Sequence, residues 1–327
     1  MPSKGFKETV EAEFAAVVQH IHEPIVFFDT MQVLLRHGLS ARKLAQIQAA
    51  MGGDVHYFTR KQPNAGYPRR LLIQLPTQAG LKLLHEFAPE HLVNRLDVAL
   101  DLTVKSQESL EILDDFIFRR LVQPWHGERH VQTSRSVRYF ARDPWTNRNL
   151  AIYSDRPSKI TGGPCLHIEM RIRNADACRR YKVSSISDLL QIDIRGLLRR
   201  QIRLAAVDPS CLARVIETYA RSTLRGIRRR EDKTPRAIRA RRARKPSHEH
   251  WNLEKCRRLV RTRMSRILQT EEYAPLPEKI EFEHFSAQTL KESFRGSVSR
   301  CLVNLDVERI LPVSNEPMWV DDEPMAP

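Results

Sequence analysis

The sequence has few cysteines and no long apolar run. Its five cysteines are scattered along 327 residues and never form a Cys-x-x-Cys pair, which argues against a disulfide framework and a cysteine zinc site. No stretch approaches the ~18 apolar residues that would span a bilayer, and the polar segment Met1 to Thr9 does not resemble a secretory signal. No internal repeat is visible. We therefore expect a reduced, cytoplasmic protein of one or two domains.

Basic residues are in clear excess. Lys and Arg number 54 against 39 Asp and Glu, which gives a formal net charge of +15 and an isoelectric point near 9.9. A surplus of this kind favours an anionic polymer or an anionic surface as the partner. Apolar residues make up 41% of the chain, which is enough to fill a sizeable core. The composition thus predicts a folded protein with nucleic acid among its candidate partners.

The hydrophobic pattern predicts an α+β fold with a mostly antiparallel sheet flanked by helices, followed by a C-terminal helical, basic domain. The predicted strands are Ile25–Phe28, Val55–Arg60, Leu71–Leu75, Asn94–Leu102, Ser136–Arg142, Asn149–Asp155 and Cys165–Arg173. The predicted helices lie in the first twenty residues and at Ser40–Met51, Pro76–Phe87, Ser106–Val122, Leu189–Val207, Ser210–Leu224 and Leu253–Leu268. We expect an N-terminal helix or arm at 1–23, a sheet domain at 24–206, a helical basic region at 207–311 and an unstructured tail at 312–327.

The clearest strand carries two acidic residues on one face. Strict alternation along Asn94–Leu102 places Asp97 and Asp101 opposite an apolar face. Surface charge on an edge strand is one interpretation, and the lining of a catalytic cleft is the other. Residues four apart on a straight strand are separated by ~13 Å, so both carboxylates cannot grip one ion without a bend. Asp97 is the better candidate ligand and Asp101 the weaker one.

A hairpin brings the second group of candidate residues together. About eight residues separate the strand that contains Tyr153 from the strand that contains Glu169, so the two strands should pair in antiparallel fashion. In the in-phase register, Tyr153 lies opposite residues 166 to 168 and shares a face with His167, Glu169 and Arg171. A slip of one residue would break this arrangement. Taken alone, Tyr153 is more often an ordinary strand tyrosine with a solvated hydroxyl.

Three pairs of histidines compete as metal motifs. His20-Ile21-His22 has the His-hydrophobic-His form, but it falls at the end of a helical pattern, whereas such pairs are placed on a strand. His126 and His130 are four apart, and Gly127 between them indicates a loop rather than a helix. His248-Glu249-His250 is typical of a polar helix start. None of these pairs has an evident third ligand.

Four short motifs, taken together and in order, resemble the Rep-trans family of rolling-circle replication initiators. They are Asn94–Asp101 (Asn-Arg-Leu-Asp-Val-Ala-Leu-Asp), Tyr139–Arg142 (Tyr-Phe-Ala-Arg), Leu150–Tyr153 (Leu-Ala-Ile-Tyr) and His167–Arg173 (His-Ile-Glu-Met-Arg-Ile-Arg). The likeness covers roughly residues 90 to 180, with a vaguer likeness from Phe28-Asp29-Thr30 through Leu75. The chain departs from the family pattern at Ala141, where the family has Gly, at Asp155, where it has Lys, and at His167, where it has Arg.

The resemblance implies a nicking enzyme. It places the nucleophile on Tyr153, which would form a 5′-phosphotyrosine link and free a 3′-hydroxyl primer. It places the Mg²⁺ or Mn²⁺ ligands on Asp97, Glu169 and Asp101, whose carboxylates suit such ions. Arg142, His167 and Arg171 are candidates for phosphate contact or proton transfer, and solvated strand charge is the alternative for each. The same site would also suit a conjugative relaxase, and a DNA-binding regulator could retain the fold without activity.

A very basic stretch follows the predicted sheet domain. Its members share the composition of a DNA-backbone contact: Arg228, Arg229, Arg230, Arg236, Arg239, Arg241, Arg242, Arg244 and Lys245. A solvated linker is the other interpretation. By resemblance, origin recognition belongs to this C-terminal side. The implied partners are plasmid or phage origin DNA, a host helicase and polymerase, and a second copy of the chain in a homodimer, with no membrane involved.

Overall fold

The computed structural model describes residues 1–59, 66–121, 130–134, 137–141, 148–208, 210–211, 214 and 300–319. The described residues belong to two compact units, each assembled from separate stretches of the chain. One unit takes residues from 1–16, 117–123 and 203–306, and the other from 17–116, 124–202 and 307–327. A boundary at residue 206 therefore does not separate the units, since Leu204–Val207 belongs with the N-terminal residues.

The larger unit contains one antiparallel sheet of eight strands, which confirms the predicted α+β class. The strands are β1 (Ile21–Leu35), β2 (Val55–Thr59), β3 (Arg69–Gln74), β4 (His91–Val104), β5 (His130–Ser134), β6 (Val137–Ala141), β7 (Arg148–Tyr153) and β8 (Cys165–Arg173). Their order is β2-β3-β1-β4-β8-β7-β6-β5. The strands β4 and β8 are thus central, and Asp97 and Asp101 do not lie on an edge strand.

The helices are short and mostly begin at a side-chain cap. They are α1 (Lys4–Val18), α2 (Ala41–Ala50), α3 (Gln78–Phe87), α4 (Gln107–Arg120), α5 (Ala175–Arg180), α6 (Ile186–Leu189) and α7 (Ile194–Gln201). Ser40 and Thr77 cap α2 and α3 by accepting hydrogen bonds from backbone N–H groups three residues on. No helix in the described ranges combines the length and the hydropathy that a membrane span needs.

One face of the large sheet is a sealed apolar core. Met31, Ile73, Leu96 and Ile172 lie on this face by strand register, and none of them is exposed. The helix α5 packs beside β4 and β8. A bulge at Asp29 changes the facing of β1, so that Phe27 and Thr30 both point to the opposite face. That opposite face carries the candidate functional residues.

Three predictions of local structure were wrong. The helix predicted at Leu189–Val207 is two helices, α6 and α7, followed by strand β9 (Leu204–Val207), which pairs with β10 (Leu302–Leu305). The tail predicted to be unstructured from 312 is ordered as far as Trp319, which is 7% exposed. His130, predicted in a loop, begins β5. Most of the predicted basic region, with every named residue from Arg228 to Lys245, lies outside the described residues.

The C-terminal segment of the larger unit is held by backbone and ring contacts. The N–H of Met318 donates to the carbonyl of Val26 at 2.6 Å. Val26 lies in the first half of β1, whereas β3 pairs only with Thr30–Leu35 in the second half. The ring of Trp319 meets Phe28 edge-on at 5.4 Å. Segment 312–319 is therefore part of the folded unit, and its fixed position explains why the prediction of a free tail failed for these residues.

Candidate active site on the polar sheet face

Strand register places the predicted acids, the histidine and the tyrosine on one face. Across β4 and β8, Asp97 lies opposite Arg171, Ala99 opposite Glu169, and Asp101 opposite His167. Across β8 and β7, Tyr153 lies opposite His167. The register predicted for the hairpin is thereby confirmed. Paired residues in an antiparallel ladder point to the same side, so these side chains share a face.

Tyr153 stacks on His167. Their ring centroids are 4.3 Å apart with an angle of 28° between the planes, and the guanidinium of Arg156 lies 5.4 Å from the centre of the tyrosine ring. The tyrosine is 7% exposed. Burial, followed by the charges of Glu169 and Asp29, raises the pKa of Tyr153 above its ordinary value, against the opposing effect of Arg171. The phenol is therefore protonated at neutral pH and needs a proton acceptor to become a nucleophile.

Asp101 orients the imidazole of His167. Nδ1 of His167 donates to Oδ1 of Asp101 at 2.5 Å, and both side chains are almost completely buried. Within the described residues, Nε2 of His167 and Oδ2 of Asp101 have no hydrogen-bond partner. Buried polar atoms normally find partners. Nε2 of the imidazole is thus unused, and Tyr153 contacts this ring by stacking rather than by a hydrogen bond to that nitrogen.

Asp97 and Glu169 form a second acidic pair, and each carboxylate has an arginine from its own strand. Arg95 bonds to both oxygens of Asp97, and Nη2 of Arg171 donates to Oε2 of Glu169 at 2.5 Å. Burial raises the pKa of Asp97 to about 7; Arg95 opposes this rise and the charge of Glu169 adds to it. Burial would raise the pKa of Glu169, but the hydrogen bond to Arg171, the charges of Arg171 and His167, and a hydrogen bond with Asp97 lower it in total. One carboxyl of the pair thus holds a proton near neutrality while the other is ionised.

A cover explains why this end of the face is buried. Ile25, Phe27 and Ala99 form an apolar floor, and Leu75, Ile160 and Met318 pack against it. Ile160 belongs to the loop between β7 and β8, and Met318 to the C-terminal segment. The loop is held in shape by Ser158, whose hydroxyl accepts from the N–H groups of Ile160 and Thr161. The part of the face beside Asp101 and Glu169 therefore lies under side chains that come from other parts of the chain.

Two site residues are missed by the sequence motifs. Asp29, at the bulge of β1, is 5% exposed and accepts a hydrogen bond from Nζ of Lys159 at 2.5 Å. Its charge contributes to the raised pKa of Tyr153, so it lies at the same site. The signals available in the sequence were the acid after the apolar run of β1 and a lysine in the short hairpin loop. Neither pattern indicates that Asp29 and Lys159, which are 130 residues apart in the sequence, are in contact.

The remaining candidates have separate outcomes. Arg142 lies outside the described residues. Arg171 lies on the shared face, bonded to Glu169. The sequence pattern placed His20 and His22 at the end of a helix, but His22 lies on β1. His20 precedes that strand, and its Nδ1 forms a hydrogen bond with the hydroxyl of Ser109 at 3.0 Å. His126 and the histidines at 248 and 250 lie outside the described residues.

The arrangement does not fit a bound divalent cation as it stands. Within the described ranges there is no group of three or more His, Cys, Asp or Glu side chains placed to hold a metal. The oxygens of Asp97 and Glu169 that a cation would use are bonded to Arg95 and Arg171. Carboxylate oxygens are the ligands that Mg²⁺ and Mn²⁺ prefer, but here the positive charge beside them comes from guanidinium groups. The metal set of Asp97, Glu169 and Asp101 therefore stays a prediction.

The comparisons with known proteins include a weak structural likeness. No family model matches the chain, and no curated protein matches it. The solved structure of a rolling circle replication initiator protein from Geobacillus stearothermophilus is 13% identical, over 56% of this chain and 88% of that chain, with a TM-score of 0.31. Since a likeness at this level does not establish a shared function, the proposals below depend on the side chains of the site.

Proposed function

We propose that this chain is a replication initiator of the rolling-circle type, which nicks one DNA strand with Tyr153 as the nucleophile. The observation that carries the proposal is the line of Tyr153, His167 and Asp101 on one sheet face, with the rings of the first two in contact. A tyrosine beside a carboxylate-oriented imidazole has the parts of an activated nucleophile: the reacting group, the base, and the group that orients the base. The basic composition of the chain supports DNA as the substrate.

The proposed reaction is a transesterification. The phenol oxygen of Tyr153 attacks the scissile phosphorus while its proton passes to Nε2 of His167. The new bond joins the tyrosine to the 5′ phosphate. The bond to the 3′ oxygen breaks, and that oxygen takes up a proton to leave as a free 3′-hydroxyl, which can prime a polymerase. Asp101 stabilises the imidazolium through the hydrogen bond at Nδ1, as a buried carboxylate does in other activated nucleophiles.

Lys159 is the proposed cation for the scissile phosphate. The family pattern has a lysine two residues after the nucleophile, where this chain has Asp155. Lys159 comes from the same loop, reaches Asp29 at the site, and keeps 43% of its side chain exposed. Arg156, which lies over the ring of Tyr153, is a second candidate from this loop. Either cation would offset the negative charge that develops on the phosphate during transfer.

Tyr153→Phe tests the assignment directly. The change removes one oxygen and keeps the ring that stacks on His167, so the fold and DNA affinity should be preserved. Supercoiled DNA of the chain's own replicon should be nicked by the wild-type protein and not by the variant. Denaturing gels and peptide mapping should find DNA joined to Tyr153. Nicking by the phenylalanine variant at the wild-type rate would exclude Tyr153 as the nucleophile.

A non-catalytic DNA-binding regulator is the second candidate function. It is favoured by the pairing of both site acids with arginines and by the near-complete burial of Tyr153. The two functions differ in nicking, and they differ in metal uptake only where the predicted ligands Asp97, Glu169 and Asp101 hold an ion. An initiator that uses Mg²⁺ or Mn²⁺ should bind Mn²⁺ measurably by electron paramagnetic resonance and lose this binding in Asp97→Asn. A regulator should bind the same replicon DNA without taking up Mn²⁺ at this site and without nicking.

A further inference from the structure

The polar sheet face has an open end beyond the candidate active site. By register, Phe58 of β2 lies opposite Arg70 of β3, and Arg70 lies opposite Leu34 of β1. On the central strands Arg95 lies opposite Arg173. Phe58 is 38% exposed and the side chain of Arg95 30%, whereas Leu96 and Ile172, on the other face beside Arg95 and Arg173, are completely buried. We call Phe58, Arg70, Arg95 and Arg173 the open end.

An aromatic ring backed by a guanidinium stands at the edge of this open end. The guanidinium carbon of Arg70 lies 4.7 Å from the centre of the Phe58 ring, and the ring of His56 lies 6.1 Å away. The strand β2 is at one end of the sheet order. Arg70 covers one face of the phenyl ring, and the exposed area lies on the rest of it. A large exposed hydrophobic side chain of this kind is rare among the described residues and is suited to stacking.

Three guanidinium groups crowd together between this edge and the acids. Arg173 lies opposite Arg95 and two residues after Arg171 on the same face of β8, and burial followed by the charges of Arg171 and Arg95 lowers the pKa of Arg173. Arg95 and Arg171 also bond to acids. Within the described part of the chain, Nε of Arg173 and Nε of Arg70 are buried and have no hydrogen-bond partner. Mutual repulsion and unused donors are what an incoming phosphate group would relieve.

We propose that the open end is a binding track for single-stranded DNA, in which a base stacks on Phe58 and phosphates contact Arg173 and Arg70. The proposal builds on the proposed function, because it leads the DNA strand across the sheet toward Tyr153. Aromatic side chains with basic neighbours bind single strands with little sequence preference, since every base has a flat face. A duplex keeps its bases stacked inside, so it can use the arginines but not Phe58.

The dimensions of the sheet suit a short single-stranded segment. Five strand spacings separate β2 from β7, which is roughly 24 Å at the usual separation of neighbouring strands. The path is longer because Phe58 and Tyr153 lie at different heights along the strands. Single-strand binding sites commonly span about 4–16 nucleotides, which covers such a path. The stacked base on Phe58 would therefore be several nucleotides away from the phosphate at Tyr153.

Ultraviolet crosslinking of the full chain to an oligothymidylate of about 20 nucleotides tests the track. In the wild-type protein the crosslinked peptide should contain Phe58. Phe58→Ala should remove this crosslink and weaken binding at least about fivefold, as expected for the loss of one stacked base. Ile112→Ala is the matched control, because Ile112 is exposed to a similar extent, 39%, and lies on α4. It should change neither the crosslink nor the affinity.

Salt dependence tests the arginines separately. Arg173→Gln should reduce the slope of log affinity against log salt by about 0.7, the value for one phosphate contact on a single strand. Arg42→Gln, an exposed arginine on α2, should leave the slope unchanged. Circular dichroism should show that both variants are folded. An unchanged slope in folded Arg173→Gln would remove this residue's phosphate contact and overturn the track.

Competition decides the identity of the strand. Unlabelled oligothymidylate should suppress the Phe58 crosslink, and a duplex of the same length should not. Suppression by the duplex at equal concentration would overturn the assignment to a single strand, and oligouridylate that binds more than about tenfold tighter would assign the track to RNA. None of these measurements involves nicking. Loss of the track and loss of the Tyr153 chemistry are therefore separate outcomes.

Discussion

The two ends of the polar sheet face place charge in opposite environments. At the covered end, around Tyr153, His167, Glu169 and Asp101, the side chains are at most 7% exposed, and burial raises the pKa of the phenol. At the open end the side chain of Arg95 is 30% exposed, Arg70 and Arg173 are half-buried, and Nε of each of these two has no hydrogen-bond partner among the described residues. The central strands β4 and β8 carry residues of both ends, with Arg95 and Arg173 at the open end and Asp101, His167 and Glu169 at the covered end. Chemistry is thus favoured where water is excluded, and capture of a polyanion where charge is accessible.

The largest expected effect comes from removing the base at the covered end. His167→Gln should slow nicking about 10²–10⁴-fold, the usual contribution of a general base, with little change in affinity for single-stranded DNA. Single-turnover nicking and anisotropy with oligothymidylate measure the two quantities. Arg70→Gln is the reciprocal variant and should weaken binding more than it slows the bound complex. Equal effects of both variants on rate and affinity would contradict a division of labour between the two ends.

Asp97 gives the covered end a characteristic dependence of stability on pH. Its pKa in the folded chain is about 7, above the unfolded value near 3.9, so the folded state holds the additional proton between these values. The free energy of unfolding should therefore fall as the pH rises from about 4 to about 7, by up to roughly 1.4 kcal/mol per pH unit. Urea unfolding across this range should show a smaller slope for Asp97→Asn.

The exposed Asp54 supplies the control for that experiment. Asp54→Asn should retain the wild-type slope. Glu169, with its lowered pKa, acts in a different window, since its contribution is lost only as the pH falls below the ordinary range of a glutamate. A wild-type slope in Asp97→Asn would mean that Arg95 keeps Asp97 ionised throughout.

Lys159 should have a smaller effect than His167. Lys159→Gln removes the charge beside Asp29 and the proposed contact with the scissile phosphate, and we expect nicking to slow roughly tenfold, typical of one lost charge-assisted hydrogen bond. Lys159→Arg should recover part of the rate, which a purely structural role would not predict. Equal nicking rates in the wild-type protein, Lys159→Gln and Lys159→Arg would exclude Lys159 as the phosphate contact and leave Arg156 as the candidate.

The smallest effect is expected from loosening the cover. Ile160→Ser weakens the apolar contact over Ile25, Phe27 and Ala99, so water and reagents should reach the covered end severalfold faster. The buried thiol of Cys165 is a reporter, since it lies on the same face and its pKa is raised to about 12 by burial and Asp101. Peptide mapping after alkylation measures its labelling. Ile112→Ser should not alter it, and unchanged labelling in Ile160→Ser would show that Ile160 does not seal this end.

Local patterns predicted the parts of the site that depend on neighbouring strands. The alternation of Cys165–Arg173 gave the strand with its correct bounds, and the short hairpin gave the register of Tyr153 against His167. Both follow from a pleat of period two and a loop of known length. The side-by-side placement of Asp97 and Glu169 needed the further pairing of β4 with β8, for which the sequence offered a family resemblance but no physical signal.

Long-range partners account for the failures. Leu204–Val207 has helical neighbours in the sequence, but it becomes a strand because it pairs with Leu302–Leu305, about a hundred residues away. The hydrogen bonds of Arg95 to Asp97 and of Arg171 to Glu169 were not predicted, because an arginine on a strand is typical of a side chain that points into solvent. Trp319 was assigned to a free tail because its Pro-rich, acidic surroundings predict disorder, yet it packs on Phe28.

The bulge at Asp29 has a consequence for transplanting this site. The additional residue shifts the alternation of side chains between the two sheet faces halfway along β1. As a result, Phe27 at the covered end and Thr30 opposite Asp97 both lie on the polar face. A designer who grafts the site onto a regular sheet would have to carry the irregular strand with it. Deleting one residue there would turn the second half of β1 inside out and separate the aromatic edge from the tyrosine it is proposed to serve.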